Sequence, residues 1–502
     1  MKVLFLFPDF GLVKNRQGRT VLERGGWYWE GIASLSAVLK RGGHQTSLLH
    51  LDGPIERQPF LARLKQEAPD LVALSLRTQV YRAAAEYALW ASQAGYRTIA
   101  GSYHPTVNPE ETIATPGIDM LCIGEGEVPM VELCDRLQTG RPYDDIPGLW
   151  VKRDGEIVRN PVGPLTEDLD TLPLPDFELF DYSKLQSSQT YTAMAMLTRG
   201  CPYSCTYCVN HKLRALYPNR NRWLRTRTPE NAIEYLRRLR EVYPEMRYLR
   251  IMDDIFHYSE DWLAKFLPAY KKEFGWPFAI NHRPNRFTER AAKMLAEAGC
   301  YQVYFGVESG NETVRNQVIG RQMSEQQIKD AFRFARENGI RTSAYNMVGL
   351  PHENLSRVLD TVKLNAELRP NRVFSPIFCP YPQTQLHDIA VEAGFCRPND
   401  QYEEDVILEM PDFPPQQILF ARANFRNLVH LYGLLRALPR FLGKPLERLA
   451  DKIILSRRLP HGFLTNAADA WSDAEERLKS AVRQRNANFY VFLRDRVVGN
   501  RV

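Results

Sequence analysis

The sequence predicts an α/β chain in three parts: an open parallel sheet, a partial barrel of six βα units and a helical C-terminal region. Two observations support this prediction. Short apolar runs alternate with helical patterns before residue 149 and again from residue 191, which is typical of βαβ units. After residue 396 the strand patterns stop and the spacing of apolar residues becomes helical.

The first part, residues 1–148, is predicted to contain five strands separated by helices. The strands cover residues 3–7, 46–51, 71–76, 96–101 and 118–123. Ligands of such sheets bind at the carboxyl ends of the strands. Residues 149–187 connect this part to the next. Asp154-Gly155 between two short apolar runs predicts a hairpin, and the Pro- and acid-rich residues 161–181 predict an extended linker on the surface.

The second part, residues 188–395, resumes the alternation of strands and helices. Six strands are predicted at residues 192–197, 248–252, 278–281, 301–307, 341–348 and 372–378. Helices are predicted at 229–243, 261–274, 288–298, 324–338 and 355–368, the first with Thr228 as its N-cap. Six βα units favour a partial parallel barrel. The third part, residues 396–502, is predicted to be helical over 413–458 and 467–496.

Composition excludes several classes of protein. Of 502 residues, 44% are hydrophobic and 25% charged, which argues against disorder and coiled coil. The net charge of +6 is too small to indicate a nucleic-acid partner. No apolar run approaches the roughly 18 residues that span a bilayer, and the first apolar run is too short for a signal peptide. We therefore expect a cytoplasmic protein.

Three of the eight cysteines form the strongest motif. Cys201, Cys205 and Cys208 give the spacing C-x3-C-x2-C directly after a predicted strand. Three thiolates on one loop can hold three irons of a [4Fe–4S] cluster and leave the fourth iron open to a small molecule, whereas electron-transfer clusters usually have four Cys ligands. A zinc site with His211 as a further ligand and three ordinary buried thiols are the alternatives.

This motif resembles the radical S-adenosylmethionine (radical SAM) superfamily. The resemblance implies that the cysteines hold a [4Fe–4S] cluster, whose open iron binds S-adenosylmethionine and cleaves it to a 5′-deoxyadenosyl radical. It also implies cofactor contacts for Tyr207 near the adenine, Asp254 at the ammonium group and Glu308 at the ribose or methionine part. Gly349 lies in the segment that resembles the family's adenine-binding turn.

Two of these assignments rest partly on chain position. Asp254 follows the second barrel strand, where capping of the next helix is its alternative role. Arg283 follows the third barrel strand and is a candidate partner for a cofactor carboxylate.

The first part resembles cobalamin-binding domains, which are Rossmann-like. The matching segments are 69–75, 101–106 and 124–127. The family's D-x-H-x-x-G motif is replaced by residues 8–13, which contain no His, so we expect no His lower ligand from that motif. The resemblance implies a cobalamin site made by Ser75, Thr78, Gly101, Ser102 and His104. A sheet that has lost its cofactor, His104 as a simple turn residue, and 124–127 as a purely structural turn are the alternatives.

Together the two parts resemble the cobalamin-dependent, class B radical SAM proteins. The resemblance implies a C-methyltransferase that moves a methyl group through methylcobalamin to an unactivated carbon of a small natural-product or lipid-like substrate. It also implies an external electron donor of the flavodoxin or ferredoxin type. Alternatives within the family are cyclisation, oxidation or rearrangement. The basic residues of 211–227 leave a tRNA-modifying enzyme as an alternative, although a solvated loop beside an anionic cofactor site has the same composition and we expect no nucleic acid. A non-catalytic iron–sulfur protein is a third alternative.

The C-terminal part contains an apolar stripe with basic residues beside it. Within 422–442 the stripe consists of Phe425, Leu428, Val429, Tyr432 and Leu435. A basic amphipathic helix can lie on a membrane surface, which would give the C-terminal helices a weak membrane association. A helix packed against the barrel shows the same pattern.

Overall fold

The computed structural model describes residues 1–14, 20–256, 258–397 and 408–486. The strands are β1 (Lys2–Pro8), β2 (Phe10–Lys14), β3 (Thr20–Arg24), β4 (Gln45–Leu51), β5 (Leu71–Ser75), β6 (Arg97–Gly101), β7 (Met120–Cys122), β8 (Leu149–Arg153), β9 (Glu156–Arg159), β10 (Thr192–Ala195), β11 (Thr198–Arg199), β12 (Arg225–Thr226), β13 (Tyr248–Ile251), β14 (Phe278–His282), β15 (Cys300–Glu308), β16 (Arg341–Asn346) and β17 (Arg372–Phe374). The helices are α1 (Glu30–Arg41), α2 (Arg57–Glu67), α3 (Tyr81–Gln93), α4 (Tyr103–Val107), α5 (Pro109–Ala114), α6 (Glu127–Thr139), α7 (Asn210–Ala215), α8 (Pro229–Val242), α9 (Glu260–Glu273), α10 (Glu289–Glu297), α11 (Glu325–Glu337), α12 (Leu355–Leu368), α13 (Gln385–Glu392), α14 (Pro415–Ala437), α15 (Arg440–Ile454) and α16 (His461–Arg485).

The first sheet has the strand order β4-β1-β5-β6-β7-β8-β9. Its first five strands are parallel, as the sequence predicted, and the apolar residues of β1, β5, β6 and β7 are buried on both faces, as in sheets covered by helices. The predicted hairpin β8–β9 joins this sheet as an antiparallel extension of β7. Asp154 and Gly155 in its turn have φ of 52° and 84°, the left-handed values that a two-residue hairpin turn requires.

The second sheet confirms the predicted partial barrel. Six strands, β10-β13-β14-β15-β16-β17, pair in parallel and in chain order, with a helix after each of the first five. The predicted N-cap Thr228 accepts a hydrogen bond from the Asn231 N–H. The carboxyl ends of the barrel strands carry the cysteine loop and the other predicted cofactor residues.

The segment between the two sheets was expected to lie on the surface, and this expectation was wrong. Phe177 is fully buried, and its ring contacts Tyr28 of the first part and Tyr235 of α8 at centroid distances of 5.9 and 5.1 Å. Phe180 and Tyr182 are buried in the same core. The sequence did not predict this core role, because acidic and proline residues dominate the composition of the segment, and such a composition is typical of a surface linker. The few aromatic residues that are buried change that composition little.

The predicted C-terminal stripe packs against the barrel. Phe425, Leu428, Val429 and Tyr432 of α14 are buried in one core with apolar residues of α12, so of the two alternatives for this stripe the structure shows the packed helix. The predicted helix over 413–458 is interrupted by Leu438 and Pro439, which separate α14 from α15. The helix predicted over 467–496 is observed to residue 485, and 487–496 lie outside the described residues. Among those that are described, no helix is long and apolar enough to cross a membrane.

The burial of Phe177 predicts a large effect of its removal. We expect Phe177→Ala to lower the free energy of unfolding by about 3–5 kcal/mol, because the cavity left between the two sheets cannot close fully. Phe463→Ala is the matched control, since Phe463 is 72% exposed and its loss should change stability by less than about 0.5 kcal/mol. Urea unfolding of both variants would measure this, and equal effects would contradict a core role for the segment.

Candidate active site

A cavity of about 480 Å³ lies between the first sheet and the mouth of the barrel. The first sheet contributes residues at the carboxyl ends of its strands, including Ser75, Gly101 and Ser102. The barrel contributes the end of β10, Arg199, Gly200 and Asp254. The cavity is mostly apolar, and its size is within the usual range of cofactor and small-molecule sites.

The cysteine loop is anchored on both sides. Before it, the buried Asp253 carboxylate accepts hydrogen bonds from the N–H groups of Leu197 and Thr198, at 2.7 and 3.0 Å. Next, β11 pairs with β12 in a short antiparallel ladder that sequence patterns did not predict. Gly200 then turns the chain with φ of +85°, and a Cβ there would collide with the Trp223 carbonyl oxygen. These constraints fix the direction in which the chain enters the loop.

Two of the three cysteine sulfur atoms of the loop receive hydrogen bonds from side-chain nitrogen donors. Cys205 is buried, and the Arg283 and Arg321 guanidinium groups approach its Sγ at 3.3 and 3.9 Å. The Asn210 amide approaches Cys208 Sγ at 3.7 Å. Donors of this kind stabilise negative charge on thiolate ligands. Burial raises the pKa of Cys201 to about 11 and of Cys208 to about 12.

Tyr207 and Glu308 lie in one polar cluster beside the loop. The Tyr207 hydroxyl donates to Glu308 Oε1 at 3.2 Å, and Arg321 donates to the Tyr207 oxygen at 3.2 Å. Arg321 also lies 3.8 Å from Glu308 Oε1. Glu308 has φ of 64°, a left-handed conformation unusual for Glu. The structure therefore brings two of the predicted residues together, and Arg321 is a participant that sequence reasoning missed because no motif includes it.

Asp254 faces the cavity rather than a helix N-terminus. Its Oδ2 accepts a hydrogen bond from the Asn210 amide at 3.0 Å, and its side chain is exposed to the cavity. The protein around the cavity shields this carboxylate from bulk water, and this desolvation raises the pKa of Asp254. Ser259, rather than Asp254, caps the following helix α9. The carboxylate is thus placed to accept further donors from a molecule bound beside the cysteine loop.

Two other predicted residues make contacts that the sequence did not predict. The Arg283 guanidinium stacks 3.9 Å over the Tyr203 ring and points at Cys205, and its donors thus face the cysteine loop. Gly349 lies against Ile418 of α14, and its N–H donates to the buried Glu353 carboxylate at 2.8 Å. Gly349 is thus bonded within the barrel through Glu353 and lies close to the C-terminal part of the chain at Ile418.

The cobalamin candidates divide into two groups. Ser75, Gly101 and Ser102 line the cavity. Thr78 and His104 do not; the Thr78 hydroxyl and His104 Nδ1 lie 3.3 Å apart. Burial lowers the pKa of His104 to about 4, so it is neutral at physiological pH. His104 is thus buried beside Thr78 and is not among the residues that line the cavity.

Aromatic residues on the cavity wall were missed by sequence reasoning. Tyr103 is 38% and Trp27 42% exposed, and both line the cavity. The Trp27 backbone N–H is held by the buried Asp9 carboxylate at 2.7 Å. Asp9 lies where the D-x-H-x-x-G motif would begin, and this position was the one feature of the sequence that could have indicated its role beside the cavity wall.

A buried network of charges joins the first part to the cysteine loop. Arg199 lies 2.6 Å from Glu127 and 3.4 Å from Glu125, and Arg225 lies 2.8 Å from Glu125. Ser34 also donates to Glu127 at 2.9 Å. Residues 124–127, expected to be a structural turn, therefore form an ionic contact between the two parts as well as a wall of the cavity.

The same contacts explain the basic stretch 211–227. Arg225 and Arg227 are buried, and Arg222 pairs with Glu167. His211 accepts a hydrogen bond at Nε2 from the Gln385 backbone N–H at 3.4 Å, so this nitrogen is directed at α13. Much of the basic stretch thus contacts the protein itself instead of forming a surface for nucleic acid.

The residues present fit the three cofactors predicted from the sequence. Three thiols on one loop, with nitrogen donors beside two of them, suit a [4Fe–4S] cluster that lacks a fourth protein ligand. The Asp254 carboxylate beside Cys208 suits a cofactor ammonium group. The small residues at the strand ends of the first sheet leave an apolar cleft open toward the same loop, which suits a bulky corrin.

Comparison with known proteins agrees with this arrangement. Residues 196–364 match the family model of the radical SAM superfamily, and residues 24–134 match that of the B12 binding domain. An uncharacterized methyltransferase of Pyrococcus horikoshii is 30% identical over 72% of this chain and 78% of its own length. The chain belongs to the cobalamin-dependent radical SAM family. It is therefore a radical SAM enzyme, and its cofactors are a [4Fe–4S] cluster, S-adenosylmethionine and cobalamin.

Other members of the family differ in reaction. The anaerobic magnesium-protoporphyrin IX monomethyl ester cyclase of Rubrivivax gelatinosus is 24% identical over 77% of this chain and 69% of its own length. Among solved structures, the radical SAM methyltransferase TsrM of Kitasatospora setae, with cobalamin and a [4Fe–4S] cluster bound, aligns with a TM-score of 0.63. The two proteins are 18% identical, and the alignment covers 79% of this chain and 76% of the TsrM chain. This likeness confirms the predicted fold class.

The charge network predicts a pH-dependent loss of stability when Arg199 is removed. Burial alone would raise the pKa of Glu127, but Arg199 and Ser34 hold it below its usual value. We expect Arg199→Met to cost about 3–5 kcal/mol near pH 7, because Glu127 would remain buried without its partner. In the native protein the pairing contributes stability above the unfolded-state pKa of Glu127, and this is lost as the pH falls through the lower folded-state value. The difference between native protein and variant should therefore shrink toward acid pH.

Denaturant unfolding from pH 4 to pH 8 would measure this difference. Arg238→Met is the matched control, because Arg238 pairs with Glu178 at the surface and such pairs contribute about 0–1 kcal/mol. An Arg199→Met penalty that is as small as the control's, or independent of pH, would contradict the network.

Proposed function

We propose that the protein is a C-methyltransferase acting on a small molecule, a natural product or lipid-like compound, and that residues 201, 205, 208, 207, 254 and 308 form its S-adenosylmethionine site. The observation that carries this proposal is the shared cavity: residues flanking the cysteine loop and residues at the carboxyl ends of the first sheet line the same space. When bound, the cluster supplies an electron to S-adenosylmethionine and cobalamin supplies a methyl carrier. Both functions would then act on a substrate in one enclosed site.

The residues of the chain have separable roles in this proposal. Asp254 accepts hydrogen bonds from the ammonium group of S-adenosylmethionine, and Asn210 keeps the carboxylate oriented through the contact at 3.0 Å. Arg321 holds both Tyr207 and Glu308 in place beside the cysteine loop. Tyr103 and Trp27 provide apolar surface on the wall formed by the first part. This apolar wall excludes water, which protects radical intermediates from side reactions.

The electron donor is proposed to be an acidic protein of the flavodoxin or ferredoxin type. Pro202 and Ser204, between two of the cysteines, are exposed, so one edge of the loop reaches the surface. Arg214 donates to the Pro202 carbonyl at 2.9 Å, and Arg286 lies 3.2 Å from the Tyr203 hydroxyl. Positive charge beside an exposed cofactor edge favours docking of an acidic partner. A cytoplasmic location, where such donors occur, fits this proposal.

The second candidate function is cyclisation or oxidation without methyl transfer. The cyclase of Rubrivivax gelatinosus, similar to this chain over most of both lengths, supports it. The two functions differ in the fate of S-adenosylmethionine. Methyl transfer yields S-adenosylhomocysteine together with 5′-deoxyadenosine, whereas the other radical reactions yield 5′-deoxyadenosine alone.

Product analysis tests the proposed function. Anaerobically reconstituted protein with cobalamin, S-adenosylmethionine and a reductant is expected to form both products. Cys201→Ala is expected to lose the iron–sulfur absorption near roughly 410 nm and the formation of 5′-deoxyadenosine, because one cluster ligand is missing. Cys134→Ala, which removes a buried thiol of α6, should keep both. Formation of 5′-deoxyadenosine without S-adenosylhomocysteine would contradict methyl transfer.

The role of Asp254 is tested by binding. We expect Asp254→Asn to weaken S-adenosylmethionine binding to the reconstituted protein by about tenfold or more, because a hydrogen bond to a charged group is worth roughly 1.5–3 kcal/mol. Asp261→Asn is the control, since Asp261 is an exposed residue in the first turn of α9. Equilibrium dialysis with labelled S-adenosylmethionine would measure both. Equal affinities of the two variants would place the ammonium group elsewhere.

A further inference from the structure

The helix α15 (Arg440–Ile454) exposes an unusual amount of apolar side chain. Phe441 is 75%, Leu442 47%, Leu446 40%, Leu449 53% and Ile453 51% exposed. We call these five residues the α15 apolar face. At about 100° per residue they lie within an arc of about 140° on one side of the helix. Leu438 and Leu455, at the two ends of the helix, are each 40% exposed and lengthen the apolar surface.

The opposite side of α15 attaches the helix to the rest of the protein. Gly443 and Ile454 are buried. Asp451 pairs with Lys363 of α12 at 2.7 Å and accepts a hydrogen bond from Tyr432 of α14 at 2.6 Å. Glu447 pairs with Arg436 at 2.9 Å. Both acidic residues of the helix are therefore engaged on the inner side, and the helix is held in a defined orientation with its apolar face outward.

A row of cations borders the α15 apolar face. Lys444, Arg448 and Lys452 are spaced by four residues, which places them in one line along the helix, next to the apolar arc. Arg457 and Arg458 follow the helix end. Within the described parts of the chain, none of these five side chains forms an ion pair, since the two acidic residues of α15 are used on its inner side. The basic row therefore presents uncompensated positive charge.

We propose that α15 docks in the plane of an anionic lipid membrane surface, with the α15 apolar face in the acyl boundary and the basic row at the headgroups. An apolar face with cations along its border is the arrangement by which interfacial helices bind such surfaces. Each cation near an anionic bilayer adds attraction, and the apolar side chains add burial. The helix lies on the membrane and does not cross it.

Charge also decides against a second copy of this chain as the occupant. A symmetric dimer through this face would use one surface patch twice, so it would bring two basic rows and no free acidic side chain of α15 to one interface. Like charges brought together in this way are unfavourable. An anionic bilayer instead offers the opposite charge over the whole length of the helix. The proposal goes beyond the proposed reaction and does not depend on it.

Vesicle sedimentation of the reconstituted full-length protein tests this proposal. We expect binding to vesicles of phosphatidylcholine mixed with phosphatidylglycerol and little binding to pure phosphatidylcholine. Phe441→Ser combined with Leu449→Ser should weaken binding about tenfold or more, because two exposed apolar side chains no longer enter the lipid. Lys444→Glu combined with Arg448→Glu should also weaken it, and increasingly so at low salt.

Matched controls separate this face from general surface properties. Lys271→Glu with Lys272→Glu makes the same charge change in the last turn of α9, and Trp471→Ser removes a 73% exposed aromatic residue of α16. Both control variants should bind vesicles as the native protein does. Unchanged thermal unfolding of all variants would show that folding is intact.

Three outcomes would overturn the proposal. They are absence of vesicle binding, equal binding to both lipid compositions, and equal losses in the α15 and control variants. Light scattering of the protein without lipid tests whether a second copy of the chain covers the α15 apolar face instead. A concentration-dependent dimer that Phe441→Ser with Leu449→Ser dissociates would assign the α15 apolar face to a second copy of the chain instead.

Discussion

Arg199 lies two residues before the first cysteine, and its guanidinium reaches Glu127 and Glu125 on the opposite wall of the cavity. This buried ionic contact links the chain entering the cysteine loop to the turn that follows the fifth parallel strand of the first sheet. If the contact were lost, the Arg225–Glu125 pair and the buried aromatic residues of the connecting segment would still join the two parts, but the chain entering the cysteine loop would lose its own attachment to the sheet edge. The proposed reaction depends on this distance, because a radical at one cofactor and a methyl group at the other must meet at one carbon atom.

The surroundings of the cysteine loop show a second constraint, which is the control of charge in a buried site. Arg283 and Arg321 approach Cys205, while Glu308 and Asp254 lie within one contact of the same loop. Burial of isolated charges is costly, and here positive and negative groups alternate around the three thiols. In the proposed site, the two arginines would face the thiolate ligands of the cluster and Asp254 would face the ammonium group of S-adenosylmethionine.

The sequence predicted the features that have a local pattern. The strands of both sheets, the Asp154-Gly155 hairpin turn and the Thr228 cap follow from spacing and turn chemistry, and the cysteine spacing led directly to the cluster loop. Features made by residues distant in sequence were missed. Arg321 reaches the loop from more than a hundred residues away, and the Arg199–Glu127 pair joins two domains. The core role of Phe177 was not predicted, because the composition of its segment resembles that of a surface linker. The exposed apolar face of α15 could be separated from the stripe of α14 only after the structure showed that the stripe is buried.

The central claim is that the cluster and cobalamin face each other across one cavity. Electron paramagnetic resonance of the reconstituted protein, with each of the two cofactors reduced by one electron, measures this directly, because cob(II)alamin and the reduced cluster are both paramagnetic. We expect a magnetic interaction that broadens or splits both signals, and a weaker interaction in Arg199→Met. Two signals that superimpose as independent, unperturbed spectra would contradict the account, since the cofactors would then occupy separate sites.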